Sequence, residues 1–180
     1  MGPLTERQLF LTLDLVDTDL LDVTDTEQLR ALGHPARLRL LLSVGADGAT
    51  VSQLSARLGT NKGNVAHHLA VLERAGLVRR GRTRTVRGGT EQYFERVARR
   101  LRTPGGAASG HTAALLQTVA DEVDAAPGDP LLHLRRLRMT PQQAAALAAH
   151  LDRLVADLPD GRASDPLCSV LVGVYRSAHA

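Results

Sequence analysis

The chain of 180 residues has almost no aromatic side chains: two Tyr, two Phe and no Trp. Sheet sandwiches draw heavily on aromatic and β-branched residues, so a core left to Leu, Val and Ala points to packed helices. Its one cysteine, Cys168, excludes an intrachain disulfide framework and a zinc site built from several thiolates of one chain. Set in an apolar stretch, Cys168 reads as a small buried hydrophobe. No run approaches the roughly 20 continuous apolar residues of a membrane span, and the first residues lack a basic start, apolar run and cleavage site. The expected setting is soluble and cytoplasmic, with no membrane partner. Glycine-rich phosphate loops, nucleophile elbows and paired-histidine metal motifs are also missing, so neither an enzyme nor a cofactor is expected.

What the chain does have is charge in one place. The formal net charge is only +3, yet residues 27–103 hold fifteen Lys and Arg against five acids. Residues 1–26 hold six acids against one base, and residues 104–180 hold eight acids against six bases. A basic middle between mildly acidic ends fits a polyanion-binding module joined to a non-binding region.

Capping signals divide that middle into helices. Thr24 with Glu27 three residues on predicts a helix start, and the helix runs to Leu32. Gly33-His34-Pro35 stops it and opens another, striped by Leu38, Leu41 and Leu42. Thr50 or Ser52 caps a third, with Leu54 and Leu58 inward, and Gly59 ends it. Asn61 caps a fourth from Lys62 to Ala75, whose Val65, Leu69 and Leu72 share one face; Gly76 terminates it. Residues 77–80 and 91–95 read as hairpin arms with Gly88-Gly89 near the tip.

Outside the middle, residues 8–16 alternate as a strand, although Leu9, Leu13, Val16 and Leu20 also suit a helix. Residues 103–110 are rich in Gly and small side chains and mark a boundary. A helix over 113–123 carries Leu115, Leu116, Val119 and Val123. Residues 131–139 read as a strand, Thr140-Pro141 as a helix start with Leu147, Leu151, Leu154 and Leu158 as its stripe, and Cys168, Val170, Val172 and Val174 as a closing strand. The expected fold class is mainly α with β: an N-terminal segment 1–23, a winged helix-turn-helix domain 24–102, and a small α+β region 111–180.

A short helix, a tight turn, a second helix with a polar leading end and a basic hairpin make a DNA reader. With Val65, Leu69 and Leu72 in the core, the opposite face leads with Lys62, Gly63, Asn64 and His67. Asn bonds adenine through two atoms, Lys reaches guanine acceptors or phosphate, and glycine lets the backbone approach. Ser52 and Asn61, at the starts of the third and fourth helices, belong to the DNA-binding set, and the N-terminus of the fourth helix itself favours a phosphate. Arg82, Arg84 and Arg87 supply phosphate or minor-groove contacts from the hairpin, and one of Arg79 and Arg80 lies along the domain surface. His67 and His68 point about 100° apart on a helix and so do not share a metal; His68 belongs at the core edge and His67 toward DNA.

The segments LRALGHPARLRLLL, SQLSARLG and NVAHHLAVLERAGLV resemble the ArsR type of winged helix-turn-helix transcriptional regulator, over residues 29–100. The resemblance implies a homodimer that represses from an operator in double-stranded DNA, released by an effector. It places Lys62, Gly63, Asn64, Ala66 and His67 against DNA. Metal-sensing members carry a cysteine pair where this chain has Val51, Ser52 and Leu54, and Asp152 and His150 lie too close together to match the other familiar sensor site, so metal sensing is not expected. Dimerisation is assigned to Leu115, Leu116, Val119 and Val123. The alternative is a winged-helix module that binds protein; such a module would expose an apolar patch where this chain has Lys62-Gly63-Asn64.

Overall fold

Caps decide where the helices of the computed structural model begin. It describes residues 18–45, 47–87, 89–103, 111–159, 161–162 and 165–176. Strand β1 (Thr18–Asp22) leads to helix α1 (Thr26–Leu32). Asp25, and not Thr24, caps α1, its carboxylate accepting from the Glu27 N–H. Helix α2 (Pro35–Ser43) starts at the expected proline, and His34 Nδ1 accepts from the Ala36 N–H at 3.2 Å. Arg37 then reaches back, donating from Nε to the Ala31 carbonyl at 2.6 Å and from Nη2 to the Arg30 carbonyl at 2.7 Å. Those bonds satisfy acceptors at the end of α1 and so set the angle between the two helices.

Strand β2 (Ala49–Thr50) runs straight into helix α3 (Val51–Leu58). Thr50 makes the cap in a full capping box with Gln53, which settles the choice between Thr50 and Ser52. Gly59 closes α3 at φ +59°, where a side chain is disfavoured. Helix α4 (Lys62–Arg74) follows after the turn, and Gly76 at φ +66° redirects the chain into strand β3 (Val78–Val86). Strand β4 (Gly89–Arg96) returns antiparallel, giving the sheet order β2-β4-β3. The hairpin arms are thus longer than expected. The domain core gathers Leu38, Leu40 and Leu41 of α2, Leu54 of α3, Val65, Leu69 and Leu72 of α4, and Leu77, Val78 and Phe94. At about 1.5–3 kcal/mol for each large side chain taken from water, this cluster outweighs the exposed ion pairs, worth about 0.2–1 kcal/mol apiece.

Strand β5 (Ala98–Arg102) pairs in parallel with β1, a contact between segments some eighty residues apart that no local pattern announced. Its exposed edge is tied by Arg100 donating to Asp19 at 2.7 and 3.0 Å and by Arg102 donating to both carboxylate oxygens of Asp22. The Asp22 carboxyl is held below its ordinary pKa chiefly by that hydrogen bond from Arg102. The segment expected at residues 8–16 lies outside the described residues. Helix α5 (His111–Asp124) packs on α1 and α2, so the first unit of the chain runs over residues 1–125, beyond the composition change at 103–110.

The second unit is residues 126–180. Thr140 caps helix α6 (Pro141–Ala156) in another capping box with Gln143, as expected. The flanking segments depart from expectation. Residues 131–139 and 167–174 join no ladder among the described residues, because period-two alternation makes a segment able to pair but only a neighbouring edge makes it a strand. Cys168 is exposed rather than buried, since its segment has no sheet face to turn inward. No described helix is long and apolar enough to cross a membrane.

Candidate nucleic-acid interface

Helix α4 owes its position to three aliphatic anchors. Val65, Leu69 and Leu72 are at most 1% exposed and press on α2 and α3. Their spacing turns Lys62, Gly63, Asn64, Ala66 and His67 outward, and all five are exposed. Asn61 is already committed: its Oδ1 accepts from the Asn64 N–H at 2.8 Å, so it orders the leading turn while its amide nitrogen remains available. Ser52 is half-buried in the first turn of α3. The α3–α4 turn is fixed internally, with Ser55 Oγ donating to the Thr60 carbonyl and the Thr60 N–H donating to the Ser55 carbonyl at 3.1 Å.

The arginines sort into two groups that composition does not separate. Arg79 pairs with Glu95 at 3.3 Å and Arg80 with Glu73 at 2.9 Å, while Arg39 meets Asp121 at 3.7 Å. Arg57 and Arg74 donate to the carbonyls of Ser43 and Ala70. By contrast Lys62, Arg82, Arg84 and Arg87 have no acidic partner within ion-pair distance among the described residues, and all are exposed. The leading end of α4 and the β3–β4 hairpin thus carry four uncompensated cations, on which the field of a polyanion would act.

Sequence reasoning missed what stands behind Arg82. Its guanidinium lies 4.5 Å from the centroid of the Tyr93 ring. Tyr93 is the only aromatic side chain of β4 besides Phe94, and its meeting with Arg82 depends on strand register, which local alternation does not give. Also missed was a histidine cluster. The His34 and His68 rings are 5.2 Å apart, and His67 and His68 are 5.5 Å apart. His68 is half-buried at the core edge with Nδ1 lacking a hydrogen-bond partner, and His67 is exposed. Burial pushes the His68 pKa down from its ordinary value, assisted by His34, His67 and Arg37. Among the described residues no group of three or more His, Cys, Asp or Glu is placed to hold a metal ion.

The residues assigned to dimerisation do not share one environment. Leu115 leans on the domain core, Leu116 is 53% exposed, and Val119 and Val123 are half-buried. The inward face of α5 is instead His111, Ala114 and Thr118, all buried.

Residues 32–81 match the profile of a helix-turn-helix domain. A comparison with curated proteins returns no match. Among solved structures, the chain is similar to reduced HlyU from Vibrio cholerae at 19% identity, covering 64% of this chain and 97% of that one, with a TM-score of 0.31. It is similar to the homodimeric winged helix-turn-helix DNA-binding domain of Mb0332 from Mycobacterium bovis, described as a possible ArsR-family regulator, at 25% identity, 68% and 92% coverage and a TM-score of 0.32. A third is MepR of S. aureus in complex with DNA, at 15% identity, 87% and 100% coverage and a TM-score of 0.31. Scores of this size carry no conclusion about function. The domain match and the chain's own elements establish the coarser point: this protein contains a winged helix-turn-helix domain.

Proposed function

We propose that the chain is a sequence-specific DNA-binding transcriptional regulator, acting as a homodimeric repressor of ArsR-like type on an inverted-repeat operator. One observation carries this reading. The face of α4 opposite its buried anchors presents Lys62, Asn64 and His67, and the adjoining hairpin presents Arg82, Arg84 and Arg87, exposed and without an acidic partner among the described residues. In that arrangement Asn64 and Lys62 read base edges, while Arg82, Arg84 and Arg87 hold the backbone. Two copies would set their α4 helices about 34 Å apart, one duplex turn. Leu116 with Val119 and Val123, and the second unit, supply surface for the second copy. The apolar load is heavy there: Leu131, Leu134 and Leu167 are each more than 80% exposed, and α6 has no buried residue. An effector would act through the same region.

Selection of bound fragments from random duplex DNA tests the proposal. An enriched inverted repeat whose preference relaxes in Asn64→Ala is the expected result. A protein-binding winged helix would enrich nothing; the polar leading end of α4 speaks against that alternative, since a protein-docking face is expected to be apolar.

A further inference from the structure

The hairpin is not a plain ladder. Arg80 stands opposite Phe94, but Thr83 stands opposite Gln92, so three steps along β3 match two along β4. One extra residue is therefore accommodated around Gly81 and Arg82, a β-bulge that bends the strand and re-aims its side chains. A bulge leaves backbone groups without ladder partners. Here the Gln92 side chain meets them: its Nε2 lies 2.9 Å from the Gly81 carbonyl, 3.3 Å from that of Arg82 and 2.8 Å from that of Tyr93. A Cβ at Gly81 would meet the Glu95 carboxylate that Arg79 holds, so a larger residue here would displace that side chain.

Arg82 is the residue this bulge aims. Its guanidinium lies over the Tyr93 ring at 4.5 Å, and Tyr93 itself is only 5% exposed, so the platform is fixed by the domain. Cation–π stacking occupies a face of the guanidinium and leaves the in-plane N–H fork open, which is the geometry that binds two oxygens of one phosphate. Arg84 and Arg87, further out, have no ring beneath them and no ion-pair partner among the described residues.

We propose that Tyr93 and Gln92 are positioning residues that hold Arg82 ready as a clamp for one DNA backbone phosphate at the root of the wing. This rests on the reading that the chain binds DNA. The clamp is blind to sequence and contributes affinity because Arg82 loses little side-chain freedom on binding. Arg84 and Arg87 must be ordered by the DNA itself. The ligand is the sugar-phosphate backbone, and the base preference belongs to α4.

The test uses the full chain and a fluorescein-labelled duplex of mixed sequence, titrated over a salt series. Arg82→Ala is expected to lower the slope of log K against log salt by about 0.9, the value for one phosphate on B-DNA. Tyr93→Phe keeps the ring and binds as the parent does. Tyr93→Leu binds about three- to tenfold more weakly, on the order of the cost of ordering one long side chain, and adds no further loss when combined with Arg82→Ala. Equal affinity in a folded Tyr93→Leu, or additive losses in the double variant, overturns the clamp. If Tyr93→Leu does not fold, Arg82→Lys decides: its charge keeps the salt slope, and affinity falls by the same factor because an ammonium lacks the planar fork. Unchanged affinity in Arg82→Lys refutes the proposal. Absence of any duplex binding by the parent chain would sink the DNA reading itself, a result distinguishable from all of these.

Discussion

Asn61 caps helix α4 and, in the proposed reading, also borders the DNA; substitutions at this residue separate the two roles. Its Oδ1 accepts the Asn64 N–H at 2.8 Å and satisfies one of the free donors at the start of α4. Replacing such a cap by Ala costs about 0.5–2 kcal/mol. Both residues are exposed, so water rehydrates the freed N–H and the lower half of that range applies, about 0.5–1 kcal/mol. For a unit of this size, thermal melting should then fall by about 2–6 °C in Asn61→Ala. Asn61→Asp keeps the acceptor and adds a negative charge where the helix dipole favours it, so its melting temperature should equal or exceed that of the parent. On the proposed docking the same charge would face the phosphates, so DNA binding should weaken in Asn61→Asp although the fold does not. Circular-dichroism melts and fluorescence titrations on the two variants read both effects. An Asn61→Ala melt indistinguishable from the parent refutes the cap, and parent-like DNA affinity in Asn61→Asp removes the leading end of α4 from the interface.

Other outcomes follow from the same structure. Leu69→Ala empties a fully buried site between α4 and its neighbours and should destabilise the fold by about 3 kcal/mol, seen as an earlier urea midpoint at unchanged slope; a change under about 1 kcal/mol would contradict the packing. Arg84→Ala with Arg87→Ala should flatten the salt dependence of duplex binding by about two phosphates' worth, a slope change of roughly 1.8, and an unchanged slope would remove both from the backbone. His68 titrates below its ordinary value of 6.5 in the folded chain, so the native state binds fewer protons than the unfolded state between the two pKa values. Stability is therefore full above pH 6.5 and declines as pH falls through the lowered pKa. A melt series over that window should flatten in His68→Gln, and an unaltered pH slope would show that His68 is not the group responsible.

The helix-turn-helix was legible because its determinants are local. Gly59, Asn61 and Gly76 each act within four residues of themselves, as does the Thr50 cap that the sequence left level with Ser52, and the spacing of Val65, Leu69 and Leu72 leaves a helix only one face to bury. Thr24 misled because Asp25, one residue on, offers the better acceptor at the same place. The expected C-terminal strands failed for a different reason: alternation records a capacity for pairing, and the partner edge is a non-local fact. The same limit hid the β1–β5 pair, the bulge at Gly81 and Arg82, and the seat of Arg82 on Tyr93.

By itself, then, the sequence determined helix α4, its caps, its buried face and the polar residues that remain outside, since each follows from helical periodicity and short-range hydrogen bonding. Tertiary structure alone decided which of the many arginines are free. Arg79, Arg80, Arg100 and Arg102 are met by Glu95, Glu73, Asp19 and Asp22, carboxylates seven to some eighty residues away along the chain. Charge is a property of composition, but compensation is a property of distance, and distance exists only once the chain has folded.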